Sequence, residues 1–285
     1  MKSCFYKTRN GRAGFTLIEL LAAITIIGVL AAIIVPTVGL CRRHAYSSRE
    51  TSAARQLMVA YYLAAEDERG RLMQGELATT TAEQRAAVAA LGVTNETGGQ
   101  ISMSQIKVRW AHRLRPYLGN RFRAVLYVNE QAEYYDQLQA TQSGWLLDYH
   151  LTLSPSFGMN EVFVGGGSTV IPGGPVRRLE DAEAPQKLIV FTSSINRALD
   201  LKSGFFRVQA PYTWTVPGDP SELAADASLD YTYGYVAFRH GGGAVVGFLD
   251  GHVERLRSSQ LRDMRLWSNV ARLTDNPSYS PNSDS

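Results

Sequence analysis

The chain has 285 residues, of which 45% are hydrophobic and 19% are charged, a composition that excludes a wholly disordered protein. Its formal net charge of +3 comes from four basic residues that precede the first acidic residue, Glu19, and the chain without them carries −1. In a chain so close to neutral, the net charge no longer supports binding to nucleic acid, and no nucleic-acid partner is predicted. Its two cysteines, Cys4 and Cys41, lie near the N-terminus and exclude a metal site of paired cysteines.

An apolar segment follows the basic N-terminal residues. Residues 20–35 are uncharged, and Glu19 is the only ionisable residue between Phe15 and Leu40. About 20 apolar residues in a helix cross a bilayer, whereas the apolar part of a cleaved secretory signal is usually about 7–15 residues long. The segment therefore predicts a membrane anchor. Basic residues stand on both sides of it, so the positive-inside bias favours a cytoplasmic N-terminus only slightly.

Glu19 is a carboxylate at the start of this otherwise apolar segment. Such a charge costs roughly 2.5–3.5 kcal/mol at mid-membrane and less near the interface, and it is therefore a candidate functional residue. The alternative is that Glu19 lies at the headgroup level and merely favours the positive end of the helix dipole. The residue taken alone leaves both interpretations open.

The segment Arg12–Leu21 reads RAGFTLIELL and resembles the processing signal of type IV prepilins, a family of type IV pilins and type II secretion pseudopilins. The resemblance implies that a prepilin peptidase removes the basic leader after Gly14 and that the new N-terminal residue, Phe15, is methylated. It also implies that Glu19 pairs with the N-terminal amine of a neighbouring subunit in a filament. Pro36 stands where pilins commonly carry a helix-interrupting proline.

Physical chemistry supports this role for Glu19. An ammonium group beside the carboxylate removes much of the cost of burying it, so Glu19 fits a register device between identical helices. Small residues would let those helices approach closely; they are Ala22, Ala23, Gly28, Ala31 and Ala32.

The helix is predicted to continue beyond the membrane as a stem, residues 41–70. From Arg42 to Gly70 the sequence has no other Gly and no Pro, and Gly70 is a helix-stop signal. A helix from Phe15 to about Glu68 would be roughly 80 Å long, loosened near Gly28 and Pro36. One face of the stem carries an apolar stripe at helical spacing, formed by Ala53, Leu57, Ala60, Tyr61 and Ala64.

The residues after the stem, 71–273, predict a globular head. Their β-branched and aromatic residues indicate strands at 124–128, 145–153 and 188–192. The pair Asp250-Gly251 between two apolar runs is typical of a two-residue type I′ hairpin turn. It predicts an antiparallel meander with strands at 231–238, 244–249 and 252–256.

The C-terminal part of the head contains a second pattern. His240, nine further residues and Asp250-Gly251 resemble the H-X9-DG motif of a large group of pseudopilin-like proteins. Residues 110–119 and 156–160 resemble two internal landmarks of that group, a Leu-X-Pro-Tyr segment and a Ser-Tyr-Gly-Met-Asn segment. The Cys-Pro pair common in the group is absent, and Ser193-Ser194 stand where an aspartate is common.

His240 and Asp250 flank a predicted strand of about six residues, which separates them by about 20 Å. The pair therefore predicts architecture, in which His240 pins a turn and Asp250-Gly251 forms the hairpin, and no shared metal. A calcium site with oxygen donors among Asp226, Asp230 and Asp250 stays an alternative. No other cofactor or metal is predicted.

The predicted fold is α+β and pilin-like, with a long N-terminal helix, transmembrane in its first half, packed on an antiparallel β-sheet head domain. Five segments follow along the chain: a removable leader, a membrane and filament-core helix, the stem, the head with its C-terminal hairpin, and a disordered tail, at 1–14, 15–40, 41–70, 71–273 and 274–285.

The predicted function is that of a structural subunit of a type II secretion pseudopilus or a type IV-pilus-like filament. Its partners would be identical or related pilin subunits, a prepilin peptidase, an inner-membrane assembly platform and, before assembly, the lipid bilayer. The predicted location is the inner membrane, single-pass, with the N-terminus cytoplasmic and the head periplasmic, or extracellular in a filament.

Two other classes of protein stay open. The first is a membrane-anchored surface or periplasmic binding protein that never polymerises, and the second is an anchored hydrolase. The sequence contains neither Gly-X-Ser-X-Gly nor His-Glu-X-X-His, and the predicted head has no cysteine nucleophile. An enzyme is therefore not predicted.

Overall fold

The computed structural model describes residues 16–95, 98–167, 171–197, 204–215 and 227–281. The chain divides into two compact units, Met1–Ala45 and Tyr46–Ser285. The predicted leader, its cleavage site at Gly14 and the methylated Phe15 lie outside the described residues.

One long helix, α1, extends from Leu17 to Asp67 and is about 75 Å long at 1.5 Å per residue. It confirms the predicted N-terminal helix, and both Gly28 and Pro36 lie inside it. The helix ends where the backbone turns left-handed, with φ of +55° at Arg69 and +81° at Gly70. Glycine adopts such a conformation without steric cost, in agreement with the predicted stop.

The first unit exposes the apolar part of α1. The large hydrophobic side chains between Leu17 and Leu40 are between 52 and 83% exposed. Among the described residues, α1 is the helix long and apolar enough to cross a membrane. An exposed surface of this composition requires lipid or other apolar helices around it.

The second unit begins within α1 at Tyr46 and combines short helices with one sheet. The helices of the described residues are α2 (Ala82–Ala90), α3 (Met103–Val108), α4 (Trp110–Leu118), α5 (Phe122–Leu126), α6 (Glu130–Thr141), α7 (Gly144–Leu153), α8 (Ser258–Leu261) and α9 (Asn269–Leu273). The strands are β1 (Phe157–Met159), β2 (Ile189–Ser193), β3 (Gly243–Phe248) and β4 (Val253–Arg257).

The sheet has the order β1-β2-β3-β4, and every neighbouring pair is antiparallel. The predicted strand at 188–192 and the hairpin of β3 and β4 are confirmed. Together with α1, the sheet makes the protein an α+β chain consistent with a pilin-like fold, as predicted.

Helix α1 packs on this sheet through its predicted stripe. Leu57 and Tyr61 are fully buried, and the Tyr61 ring meets the Phe191 ring of β2 edge to face, with centroids 5.5 Å apart. The remaining stripe residues Ala53, Ala60 and Ala64 are at most 4% exposed. Small side chains at these positions let the helix approach the strands closely.

The opposite face of the sheet is covered by the C-terminal segment. Ala244, Val246 and Phe248 of β3 share a core with Trp267, whereas Val245 belongs to the core that contains the α1 stripe. Strand β3 is thus buried on both faces, as the alternation of side chains along a strand requires in a three-layer arrangement.

Two predicted strands are wrong. Residues 124–128 fall largely in α5, and 145–153 form most of α7. The hydroxyl of Tyr127, just after α5, donates to the carbonyl of Leu151 in α7, and both residues are buried. Helix-to-helix packing accounts for the apolar and aromatic content of these segments and overrides their weak strand preference.

The first strand of the predicted meander is also wrong. Ala227–Tyr233 is a 3₁₀ helix, and the strand that pairs with β3 on the side away from β4 is β2. The aromatic residues that suggested a strand instead form a ring cluster in which Trp214 contacts both Tyr233 and Phe238.

The predicted disordered tail differs from the structure over 274–281. The ring of Tyr279 is buried in the core beside Trp267, and Met264 N donates to the carbonyl of Pro277 at 2.9 Å. An aromatic ring among small polar residues was the signal for packing.

Candidate functional site

Glu19 lies at the start of α1 and bonds within its own chain. Its Oε2 accepts hydrogen bonds from Thr16 N at 2.9 Å and from Thr16 Oγ1 at 2.8 Å. In return, Glu19 N donates to Thr16 Oγ1 at 3.3 Å. This reciprocal arrangement is a capping box, which satisfies donors that a helix start leaves open. Because Thr16 follows Phe15 directly, the carboxylate bonds the residue next to the predicted new N-terminus.

A second carboxylate on α1, Glu50, is fully buried. His240 Nε2 contacts its Oε2 at 2.8 Å. Its Oε1 accepts from Arg239 Nη1 at 2.8 Å and from Ser193 Oγ at 2.5 Å. Three side chains from β2 and from the loop before β3 therefore converge on one helix residue.

The electrostatics of Glu50 are decided by those partners. Burial by itself raises the pKa of Glu50, but the charge of Arg239 and the hydrogen bonds of His240 and Ser193 outweigh it. The pKa of Glu50 accordingly lies below its ordinary value, and the buried carboxylate is held ionised.

Local structure holds each partner in place. Ser193 ends β2, and its Oγ also accepts from Val245 N of β3 at 2.9 Å. Arg239 Nη2 donates to the carbonyl of Ser194. His240 closes a tight turn with Gly243, since His240 N donates to Gly243 O at 3.1 Å.

This arrangement differs from a hydrolytic centre. In a nucleophilic relay the serine bonds to the histidine, and the carboxylate bonds to the far side of that ring. Here Ser193 and His240 both bond to the Glu50 carboxylate, and Ser193 is fully buried. The geometry therefore supports fixation of the helix on the sheet.

Asp250 and Gly251 form the turn after β3, but its type was predicted wrongly. Gly251 N donates to Phe248 O at 2.9 Å, and Phe248 N donates to His252 O at 3.0 Å. Gly251 has φ of +91°, whereas Asp250 is not among the described residues with positive φ. These features define a three-residue loop, a type I turn followed by a glycine bulge, and exclude type I′.

The turn also contacts α1. The hydroxyl of Tyr62 donates to the carbonyl of Leu249, and a Cβ placed on Gly251 would lie 3.3 Å from the Tyr62 ring. The carboxylate of Asp250 bonds locally, with His252 Nδ1 2.5 Å from its Oδ1. The two ends of the H-X9-DG pattern thus lie at opposite ends of β3, each against α1.

The structure describes two of the three candidate calcium donors, Asp230 and Asp250. Asp226 lies outside the described residues. Asp230 pairs with Arg197, whose Nη2 lies 2.7 Å from Asp230 Oδ1, and Asp250 bonds to His252. Within the described ranges, no three side chains of His, Cys, Asp or Glu gather as a metal site would require; calcium binding stays an untested prediction.

Sequence reasoning missed Glu50, although a signal for it was present. Glu50 precedes Ala53, Ala54 and Leu57 at spacings of three, four and seven residues, which place it on the buried stripe of α1. An acid on a buried stripe requires partners. Those partners are 143 and 190 residues away in sequence at Ser193 and His240.

The N-terminal segment matches a known family model. Residues 9–35 match the family model of the prokaryotic N-terminal methylation motif. No curated protein and no solved structure matches the chain. The match supports a type IV pilin-like protein, since the motif marks structural proteins that are processed by prepilin peptidase and assemble with other pilin subunits.

Proposed function

We propose that this protein is a structural subunit of a type IV-pilus-like filament or a type II secretion pseudopilus. The observation that carries the proposal is the coincidence of the methylation motif at residues 9–35 with a helix whose apolar side chains are exposed. Before assembly the bilayer covers that surface, and after assembly the same surface packs against equivalent helices.

The charged group in the apolar segment supports assembly over simple anchoring. An anchor needs no carboxylate, and one inside an apolar helix is costly without a partner. Glu19 bonds to Thr16, immediately beside the residue whose amine cleavage would free. The amine of a neighbouring subunit could then approach a carboxylate already held at the helix start.

We extend the proposal to processing, assembly and membrane topology. Prepilin peptidase cuts after Gly14, Phe15 is methylated, and an inner-membrane platform assembles the subunits. The chain crosses the inner membrane once, with its N-terminus cytoplasmic and its C-terminal unit periplasmic or in an extracellular filament. Glu19, and not the head, supplies the assembly contact in this scheme.

Processing is tested by mass spectrometry of the mature N-terminus in a host that contains prepilin peptidase. We expect methylated Phe15 at the N-terminus of the wild-type protein, and the same product from Gly14→Ala. Gly14→Val should accumulate as precursor, because its side chain is bulky. An intact Met1 in the wild-type protein would contradict the proposal.

Assembly is tested through Cys41, which is exposed on α1 and is the only cysteine left after the leader with Cys4 is removed. Bifunctional thiol reagents should link neighbouring subunits through Cys41 in sheared filaments, and Cys41→Ser should abolish every cross-link. Processed, methylated protein that stays monomeric in the membrane would instead identify a non-polymerising anchored binding protein.

A further inference from the structure

Helix α1 and strand β3 match in length between their two points of contact. Glu50 and Tyr62 are twelve residues apart, which is about 18 Å along a helix. Strand β3 has six residues, about 20 Å at 3.3 Å per residue. The nine residues between His240 and Asp250 therefore place the two ends of this pattern against Glu50 and Tyr62.

The contact is continuous between these ends. Val245 and Leu249 belong to the same core as Leu57 and Tyr61, on the face of β3 toward α1. Gly247 lies on that face too, where a Cβ would come within 2.8 Å of the Met58 sulfur. The glycine thus permits the helix to approach the strand at the middle of the contact.

The two ends differ in chemistry. At the first end, a buried carboxylate takes hydrogen bonds from Arg239, His240 and Ser193. A slip of the helix by one turn, about 5.4 Å, would leave this carboxylate buried without donors, which is strongly unfavourable. At the second end, Tyr62 bonds a backbone carbonyl, so no charge is involved.

We propose that the H-X9-DG segment, His240–Gly251, is a two-point clamp that fixes the axial register of β3 on α1, with Glu50 and Tyr62 as its helix-side contacts, and that acid releases it at Glu50. This role goes beyond that of a filament subunit and does not depend on it. It assigns His240 and the Asp250-Gly251 turn to one device.

Acid acts at the Glu50 end of the clamp, because the contact there contains a carboxylate that can be protonated. Glu50 is faced by Arg239 and His240, both from the loop before β3, and by the neutral Ser193 of β2. Protonation of Glu50 removes the only negative charge from this group. Since its pKa lies below the ordinary value while its partners are in place, the released form binds the proton more tightly, and falling pH favours release.

The test is hydrogen exchange of the full chain in detergent micelles, read on peptides that cover each end of β3 and corrected for intrinsic rates. At pH 7 we expect Glu50→Gln to exchange about tenfold faster near 240–246. Tyr62→Phe should act first near 248–252. The matched control is Glu66→Gln, which alters an exposed acid of the same helix and should exchange as the wild type does.

Two further measurements identify one clamp. The double variant Glu50→Gln/Tyr62→Phe should lose more protection than the product of the single effects, because each remaining contact holds the register for the other. Lowering the pH from 7 to about 3, below the ordinary pKa of a carboxyl, should loosen the 240–246 end in the wild-type protein and leave Glu50→Gln unchanged. Ser193→Ala, which removes one donor and keeps the charge, gives a milder version if Glu50→Gln fails to fold.

The proposal is overturned if Glu50→Gln, or Ser193→Ala in its place, exchanges like Glu66→Gln. It is also overturned if both ends respond independently, since two separate contacts do not form a clamp. An acid response that persists in Glu50→Gln would remove the assignment of acid release to this carboxylate.

Discussion

The two parts of α1 are opposite in character. Up to Ala45 the helix exposes its large apolar side chains, whereas from Tyr46 onward its apolar stripe is buried against the sheet. Each part carries one acid at a decisive place: Glu19 bonds only locally, to Thr16, and Glu50 bonds three side chains from elsewhere in the fold. The second part has its partners within the chain, and the first requires partners from outside.

The same comparison separates the energetic roles of the two carboxylates. A buried, paired charge contributes little when the intact pair is compared with apolar packing, but it is costly once one partner is lost. An exposed carboxylate at a helix start, such as Glu19, is screened by solvent and contributes little to the stability of its helix. Substitutions at the two sites should therefore differ in size and in what they disturb.

The largest effect is expected for Arg239→Met, which leaves the Glu50 carboxylate buried without its cation. We expect the free energy of unfolding to fall by about 3–5 kcal/mol, measured by chemical denaturation of the full chain in detergent. The matched control is Arg123→Met, whose ion pair with Asp136 is about half exposed on both sides and should contribute below about 1 kcal/mol. Equal losses in the two variants would contradict the role given to Glu50.

A smaller effect is expected for Gly251→Val at the other end of β3. The left-handed backbone at Gly251 should cost about 1–2 kcal/mol for a residue with a Cβ, and the Tyr62 ring adds a close contact. Thermal unfolding of the full chain in detergent measures the loss.

Asp250→Asn is the control at this turn and should be nearly neutral. If the wild-type protein melts at a higher temperature in calcium than in chelator, and Asp250→Asn loses that difference, then the aspartate is a calcium ligand.

Comparison of α1 and the hairpin with the contacts of Glu50 shows which features of the structure could be predicted from the sequence. The bounds of α1, its stripe and the β3–β4 hairpin follow from patterns within short windows, and the structure confirms them. The Glu50 contacts could not be found in this way, because they join residues 143 to 190 positions apart. The helices at 122–126 and 144–153 were missed because residues that favour strands are buried there between helices.

A further prediction concerns Glu161, a partly buried carboxyl whose surroundings contrast with those of Glu50. Its partner Arg207 is 3.4 Å away, and burial outweighs that attraction and raises its pKa. A carboxyl whose pKa is raised by folding lowers the free energy of unfolding of the protein once the pH rises above the pKa that the group has in the unfolded chain. Glu161→Gln should therefore leave the free energy of unfolding unchanged at pH 4 and raise it modestly at pH 7; a decrease at pH 7 would show that the Arg207 pair is net stabilising.

The smallest effect on stability is expected for Glu19→Val. This variant tests most directly whether the two parts of α1 have separate roles. Because Glu19 is exposed and its carboxylate bonds to Thr16 within the described residues, its loss removes no contact described for the second unit, Tyr46–Ser285. The denaturation midpoint of the full chain should therefore equal that of the wild-type protein, and membrane insertion should be retained, since valine makes the segment more apolar. Cross-linking through Cys41 should nevertheless fail, because the neighbouring amine has lost its carboxylate. A variant that assembles like the wild type would show that apolar packing alone sets the register, and a variant with a lowered midpoint would show that the two parts of α1 are energetically coupled.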